Sequence, residues 1–231
     1  MPELFTFVGS VLPHDMDHNT HKMVIYLVHM LLSAVLALVL VRSAMSNLQM
    51  VPKGSQNLME AYIAGVLQMG TDVMGEKDAR RFVPLVATIG LFVAIANLIG
   101  VIPGFEAPTA FLEFALTLAI SVFVYYNYIG IKEQGVIKYF KHFLGPVWWL
   151  YWLMFPIEIV SHFSRLVSLS FRLFGNVKGD DMFLMVILML APWLLPMIPF
   201  ALLTFMALLQ AFIFMMLTTV YIGSAIAVED H

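Results

Sequence analysis

The stretch SHFSRLVSLSFRLFGN, residues 161–176, places two arginines inside a run that is otherwise apolar enough to lie in a bilayer. A guanidinium at the centre of a bilayer costs about 2.5 to 3.5 kcal/mol on insertion scales. Because an arginine side chain stays protonated in proteins, Arg172 cannot avoid that cost by losing its charge. A permanent positive charge in such a place indicates ion handling, so Arg172 is the principal candidate functional residue.

The composition around this stretch is that of an integral membrane protein. Of the 231 residues, 61% are hydrophobic and only 12% are charged, and the mean hydropathy is +0.90. Soluble domains carry about 25% charged residues. The net charge of −3 gives no indication of a nucleic-acid partner, and the absence of cysteine excludes disulfides and thiolate metal sites. The expected fold is therefore all-α, with several transmembrane helices in a single membrane domain.

Hydropathy along the chain predicts three spans, at residues 23–41, 82–102 and 109–131. A helix needs about 20 residues to cross the hydrocarbon core. Residues 1–22 are predicted to form an external tail without the features of a signal peptide. Between the first two spans, residues 57–75 repeat apolar side chains at helical spacing, which predicts an amphipathic helix on the membrane surface. A buried helix of a small extramembrane domain is the alternative.

Two unusually long apolar tracts follow, at residues 146–190 and 200–228, separated by a proline-rich break at 191–199. At 1.5 Å per residue, a helix of about 40 residues would be about 60 Å long. The hydrocarbon core is only about 30 Å thick. The first tract therefore either breaks into two spans or lies at a steep tilt, and a steep tilt is expected where a large partner surface lies alongside.

The distribution of basic residues predicts the orientation. Lysine and arginine concentrate between the first two spans and after the third, whereas the turn after the second span has neither. Because cytoplasmic loops carry an excess of positive charge, both basic loops and the C-terminus are placed in the cytoplasm. The N-terminus is then placed outside.

One face of the first long tract, drawn as a helix, is polar. Steps of mostly three or four residues keep its members on one side of the helix: Glu158, Ser161, His162, Arg165, Ser168, Arg172 and Asn176. Ionisable residues inside membranes normally face protein or a water-filled cavity. An internal ion pair between Glu158 and Arg165, holding helices together, is the alternative for those two residues.

Two further polar residues belong to this pattern. Asp181 lies nine residues beyond Arg172, where it lines a hydrated entry path if the helix continues to Leu190; a simple external loop is the alternative. Gln210 is the conspicuous polar residue of the last tract. In an antiparallel hairpin it meets Arg172 at a similar depth, because the midpoint of positions 172 and 210 is 191. Its amide oxygen can then accept a hydrogen bond from Arg172; a helix-packing glutamine is the alternative.

This chemistry is incomplete within one chain. Arg172 cannot release a proton, Gln210 does not titrate, and no acid lies at the level of Arg172. If protons cross here, the carboxylate at that depth must come from a partner. An opposite charge lowers a carboxyl pKa by about 1 to 3 units, whereas burial in lipid raises it. One fixed cation can therefore force proton release on one side and uptake on the other.

Several motifs together resemble subunit a of F-type ATP synthases. They are FRLFGN at 171–176, LLQAFIF at 208–214, the Val220–Tyr221 ending, NLIGVIPG at 97–104 and PTA at 108–110. The resemblance covers essentially the whole chain. It implies a stator in the bacterial inner membrane beside a ring of c subunits. The b subunits of a peripheral stalk, the soluble catalytic head and membrane lipids are then its other partners.

The resemblance also implies roles for individual residues. Arg172 takes the position of the essential cation that faces the ring carboxylate, Gln210 that of its partner, and Asp181 an acidic position of the outer half-channel. Glu158, Ser168 and Asn176 fall on polar positions of the family, and His162 and Arg165 of the polar face join them as candidates for the proton path. The two long tracts are expected to form a tilted hairpin beside the c-ring.

Two positions depart from the family pattern. Members often carry Asn or Asp directly after the PTA turn, but this chain has Phe111 there, with Glu113 two residues further on. Glu113 is therefore a candidate for supplying the lost polarity. In some members a histidine faces the outer acid, whereas this chain has Leu203, so the outer path cannot use that pair.

No cofactor or metal is expected, and no catalytic site. Nothing in the sequence resembles a phosphate-binding loop, and His14, His18 and His21 are interpreted as external, solvated residues rather than metal ligands. A secondary transporter is the main alternative function and predicts inverted repeats, of which none is evident. A purely structural membrane anchor is the third interpretation. The sequence leaves open whether the ion is a proton or sodium.

Overall fold

A computed structural model describes residues 7–11, 17–46, 48–136, 139, 151–190 and 197–227. These residues form helices joined by short turns, and they contain no strand. The elements are α1 (Phe7–Val11), α2 (His18–Met45), α3 (Ser55–Met74), α4 (Glu76–Val101), a 3-10 turn (Pro108–Ala110), α5 (Leu112–Gln134), α6 (Tyr151–Leu190) and α7 (Met197–Ile226). The predicted all-α architecture with several transmembrane helices is confirmed.

Four helical segments are long and apolar enough to cross a membrane. They are Thr20–Met45, Glu76–Val101, Leu112–Gln134 and Pro199–Ile226. They overlap the three predicted spans and the last apolar tract. The third begins three residues later than predicted because the preceding residues Pro108–Ala110 form the 3-10 turn. The helix α6 is outside this set because too many charges interrupt its apolar residues.

The amphipathic helix α3 packs on the membrane helices and does not build a separate domain. It lies against α4 and α7, and it buries Val66 and Gly70. The hydroxyl of Tyr62 donates a hydrogen bond of 2.8 Å to the carbonyl of Ala87 in α4. Gly75, with φ of 82°, provides the sharp turn into α4, which favours glycine. The alternative of a helix buried in an extramembrane domain therefore does not fit this packing.

The first long tract is one continuous helix from Tyr151 to Leu190, 40 residues in length. At 1.5 Å per residue it is about 60 Å long, so the option of two broken spans does not fit the described residues, and the tilt of the unbroken helix stays a prediction from its length. The first residues of the predicted tract, 146–150, lie outside the described residues. So do residues 191–196 of the predicted break and the end of the last tract at 228; α7 begins at Met197.

The core explains how α6 is held. Helix α4 packs against α3 and α7, and α5 packs against α6 and α7. Only a narrow edge of α6 is buried, at Leu169, Ser170 and Leu173. The large side chains of Phe163 and Phe171 are more than half exposed. A long helix that is covered on only one side leaves a broad surface for lipid or for another membrane protein.

Candidate functional site

Arg172 lies on α6 next to the buried edge, and its side chain is partly buried. Within the described residues it has no hydrogen bond and no ion pair. The helix neighbour Leu173 is completely buried, whereas Phe171 is exposed. Arg172 therefore stands at the boundary between the bundle and the uncovered surface of α6, without a counter-charge from this part of its own chain.

An open cavity of about 420 Å³ lies between α4, α6 and α7, on the side of Arg172 toward the C-terminal end of α6. We name it the outer cavity. Its polar lining residues are Asn97, Asn176, Asp180, Asp181 and Gln210. Three of the candidates from the sequence, Asn176, Asp181 and Gln210, thus line one space.

Gln210 is only 2% exposed, and its Oε1 accepts a hydrogen bond of 2.6 Å from Nδ2 of Asn176. Its Nε2 has no partner among the described residues. The hairpin register therefore brings position 210 opposite 176, which is one helical turn from Arg172. A direct bond between Arg172 and Gln210 is absent from the described contacts, and the partnership of these two residues stays a prediction.

Asn97 is a cavity residue that the sequence analysis treated only as part of a motif. Its Oδ1 accepts a hydrogen bond of 2.6 Å from the hydroxyl of Thr109, and its Nδ2 donates one of 3.3 Å to the carbonyl of Ala207. Asn97 and Thr109 are both buried. The bonds tie α4, the 3-10 turn and α7 together at the cavity wall. The sequence feature that could have identified Asn97 is an amide side chain inside an otherwise apolar span.

The acidic part of the outer cavity is built by two adjacent residues of α6, Asp180 and Asp181. Oδ2 of Asp181 lies 3.9 Å from Nζ of Lys178, and this ammonium is 6.0 Å from the ring centre of Phe111. Leu203 lines the same cavity as Asp181. Glu113 is exposed in the first turn of α5 and is not among the described lining residues. Its predicted role is therefore not supported by the cavity geometry.

A second open cavity, of about 370 Å³, lies toward the N-terminal end of α6, and we name it the inner cavity. Its lining comes from α5, α6, α7 and the residue described after α5: Tyr126, Gln134, Tyr139, Glu158, His162, Arg165, Ser224 and Ala225. Burial raises the pKa of the Tyr139 hydroxyl, with the carboxylate of Glu158 acting in the same direction and Arg165 opposing it. Three predicted residues of the polar face, Glu158, His162 and Arg165, thus meet in this space.

The contacts of these residues differ from the ion pair considered as an alternative. Oε1 of Glu158 lies 3.4 Å from Nε2 of His162, whereas the guanidinium of Arg165 lies 5.5 Å from the ring centre of Tyr221. No ion pair joins Glu158 to Arg165 in the described part of the chain. The structure therefore does not support the structural Glu158–Arg165 pair.

Ser168 lines neither described cavity. It is exposed on the uncovered surface of α6, in one helical row with Phe171, Gly175 and Gly179. We call this row the open face. A Cβ atom added at Gly175 or Gly179 would meet no atom within 4 Å, so the small residues do not serve packing within the described chain. Small residues on a membrane helix allow another helix to approach closely.

The two cavities are separated along α6 with Arg172 between them. Glu158 is 14 residues before Arg172 and Asp181 is nine residues after it. At 1.5 Å per residue these intervals are about 21 and 14 Å. Their sum is close to the thickness of the hydrocarbon core, about 30 Å. The geometry is that of two polar cavities at different levels of α6, with Arg172 between them in the sequence of the helix.

Comparison with known proteins gives likenesses along the whole chain. The family described as ATP synthase A chain matches residues 23–223. ATP synthase subunit a of Sulfurimonas denitrificans is 79% identical over 231 residues, which covers all of both chains. That of Campylobacter fetus is 58% identical over 233 residues, again with complete coverage. That of Helicobacter hepaticus is 57% identical over 228 residues, or 99% of this chain and 98% of the relative.

Proposed function

The chain belongs to the ATP synthase A chain family, and we propose that it passes protons through two aqueous half-channels to and from a carboxylate on a c-ring. It is a multi-pass membrane protein, a non-catalytic and proton-translocating component of an F-type ATP synthase. In the proposed function Arg172 separates the half-channels, and the proton-motive force drives rotation of the ring and ATP synthesis. The observation that carries this proposal is the pair of polar cavities on opposite sides of Arg172.

The outer cavity is proposed as the half-channel from the external side, with Asp181 as its acid and Asn97, Asn176 and Gln210 as its hydrogen-bonding wall. The inner cavity is proposed as the half-channel to the cytoplasm, with Glu158 as its acid. This assignment follows from placing the N-terminus outside and the C-terminus in the cytoplasm, as the basic loops indicate.

The position of Arg172 supports its role as separator. Its charge is permanent, and the described residues offer it no carboxylate. A ring carboxylate that moves opposite Arg172 is held ionised, and one that moves away into lipid is held neutral. The same charge repels a proton that approaches from either cavity. The cation therefore prevents a continuous proton path while it favours exchange at each end.

The open face of α6 is proposed as the surface that the c-ring covers. It has exposed Ser168, Gly175 and Gly179 in one row beside Arg172, and the helix continues for about 60 Å. A helix of that length fits the bilayer only when tilted, and a tilted helix can follow the side of a ring. Docking of b subunits of a peripheral stalk, and assembly with the soluble head, belong to the same proposal.

Gln210 can serve Arg172 by a small rearrangement. If both amides turn by 180°, the bond between Asn176 and Gln210 persists with Gln210 as donor. The Gln210 carbonyl oxygen then occupies the place of the Nε2 atom that has no described partner. An acceptor there, one turn from Arg172, is suited to receive a guanidinium N–H. The proposed partnership thus requires rotation of the amides of Asn176 and Gln210.

The test is substitution of Arg172 in the assembled synthase. Arg172→Ala should leave assembly intact and abolish ATP-driven proton pumping into inverted membrane vesicles, because nothing then separates the half-channels. Arg80→Ala is the matched control: Arg80 is exposed, pairs with Glu76 one turn away and lines neither cavity. Normal pumping by the Arg172 variant would overturn the proposal. Proton transport by the reconstituted chain alone would favour a secondary transporter instead.

A further inference from the structure

Three side chains in contact, those of Tyr126, His162 and Glu158, connect α5 to α6 at the inner cavity. The hydroxyl of Tyr126 lies 3.0 Å from Nδ1 of His162, and Nε2 of the same ring lies 3.4 Å from Oε1 of Glu158. We infer that His162, anchored by Tyr126, is the positioning residue that holds the Glu158 carboxylate as the proton-exchanging group of the inner half-channel. This inference rests on the proposed function and deepens it.

The donor and acceptor roles of these three side chains follow from the chemistry of Glu158 and Tyr126. In the proposed arrangement the Glu158 carboxylate is ionised and can only accept, so Nε2 of His162 is the nitrogen that carries the hydrogen facing it. In the neutral imidazole Nδ1 is then unprotonated and accepts a hydrogen bond from the hydroxyl of Tyr126. Tyr126 thus selects the tautomer that Glu158 needs, just as a second partner fixes the tautomer of a histidine in metal sites.

Tyr126 is well suited to act as an anchor because it is held on several sides. It is only 2% exposed. Its ring centre lies 5.4 Å from that of Phe123 and 5.9 Å from that of Tyr221, and it stacks on the His162 ring at 5.9 Å with an angle of 30°. A side chain fixed in this way restricts His162, and His162 in turn restricts a carboxylate that otherwise borders an open cavity.

The arrangement also tolerates a change of charge on the imidazole. A protonated His162 donates from both nitrogens, and the Tyr126 hydroxyl only has to rotate to accept from Nδ1. Histidine changes its charge in the physiological pH range. Among the described residues, the ionisable groups near this position are Glu158 and Arg165 on α6, Tyr126 on α5, Tyr139 after α5, and Tyr221 on α7.

The consequence is a defined pH dependence of proton uptake. Proton uptake through the inner cavity needs a protonated acceptor at its end, and a hydrogen-bond donor beside a carboxylate opposes protonation. Removing such a donor therefore lets uptake continue to higher pH before it falls. Loss of one nearby stabilising group moves such a transition by about one pH unit. A merely structural histidine would change the amount of assembled complex and leave the pH of the transition unchanged.

The experiment measures ATP-driven pumping in inverted vesicles, where the medium contacts the cytoplasmic side, across a range of external pH. We expect His162→Leu to move the midpoint of the alkaline fall upward by about one unit. His162→Gln, whose amide can still donate to Glu158, should show a smaller shift. Tyr126→Phe should shift the midpoint in the same direction, and Tyr128→Phe, an exposed tyrosine two residues along the same helix, should not.

The outcomes separate the two proposals. If the midpoints of His162→Leu and Tyr126→Phe coincide with that of the parent, the positioning role is wrong while the proposed function stands. If His162→Leu does not assemble, Tyr126→Phe, which keeps the ring, decides the question in the same assay. Normal pumping by Arg172→Ala would instead contradict the proposed half-channels, and with them the proposed role of His162.

Discussion

A positive charge placed in the outer cavity after assembly should stop proton passage. Leu203 is the site, because it lines this cavity together with Asp181 and Gln210. The chain contains no cysteine, so Leu203→Cys creates a single thiol in it. A cationic methanethiosulfonate reagent then adds a permanent charge to a complex that is already folded, and a neutral reagent of similar size adds bulk alone.

The size of the effect follows from the usual spacing of packed helices. Their axes lie about 8 to 10 Å apart, and two unit charges about 9 Å apart interact by about 1.8 kcal/mol at an effective dielectric constant of about 20. At 1.36 kcal/mol for each tenfold change, this repulsion lowers the proton occupancy of the cavity about 20-fold. The initial rate of ATP-driven pumping should fall by a similar factor if exchange through this cavity limits it.

The assay follows the fluorescence of a pH-sensitive acridine dye in vesicles, and mass spectrometry gives the fraction of chains that carry the label. The neutral reagent should leave most of the pumping rate. Equal rates after complete labelling with the two reagents would refute the reasoning, because a charge inside the proton path cannot be without effect. Labelling at Leu38→Cys, an exposed position of α2, is the matched control for reaction elsewhere in the membrane.

Two further predictions concern the packing that shapes the cavities. Thr109→Val should destabilise the protein by about 1 to 3 kcal/mol, because it leaves the buried Oδ1 of Asn97 without its donor. Gly90→Ala should cost about 1 to 3 kcal/mol, because the added Cβ would overlap Sδ of Met215 and lie 2.8 Å from the hydroxyl of Tyr62. Both are checked as a lowered temperature of heat-induced aggregation of the detergent-solubilised assembly, by about 2 to 4 °C for each kcal/mol.

The polar face of α6 was predictable because helical periodicity is a local property. Seven positions at helical spacing were enough to place Glu158 and Arg172 on one continuous face, and the structure has a single helix through all of them. Contacts within a turn are likewise local, and the nearness of Glu158 to His162 at i, i+4 is of this kind. The sequence did not indicate whether Glu158 pairs with His162 or with Arg165. The partner of Arg165 is the ring of Tyr221, which lies on another helix.

The hairpin register shows where local reasoning ends. Taking the midpoint at 191 placed Arg172 opposite Gln210, but the hydrogen bond joins Asn176 to Gln210, whose midpoint is 193. The midpoint estimate assumes that the segment between α6 and α7 contributes equally to both helices. Whether it does depends on the conformation of that segment. An error of two residues in the midpoint displaces the partner by four residues, or one helical turn.

The inner cavity was beyond sequence reasoning for a related reason. Tyr126 and Gln134 come from α5 and Ser224 from α7, and each belongs to a span whose own pattern indicates only an apolar helix. Their meeting point depends on how α5 and α7 pack around α6. The same holds for Asn97, whose role became visible only through its bonds to Thr109 and Ala207.

The continuity of α6 has a mechanical consequence for the proposed function. Glu158, Arg172 and Asp181 lie on one unbroken helix, so their separations are set by the helical rise and not by the packing of separate elements. If the helix were broken into two spans, the two acids could move relative to the cation as the ring exerted force on it. One rigid helix keeps both cavities in register with Arg172 while the carboxylates of a neighbour pass by. The unbroken helix therefore has two consequences. Its length requires a tilt in the bilayer, and its continuity fixes the spacing of Glu158, Arg172 and Asp181.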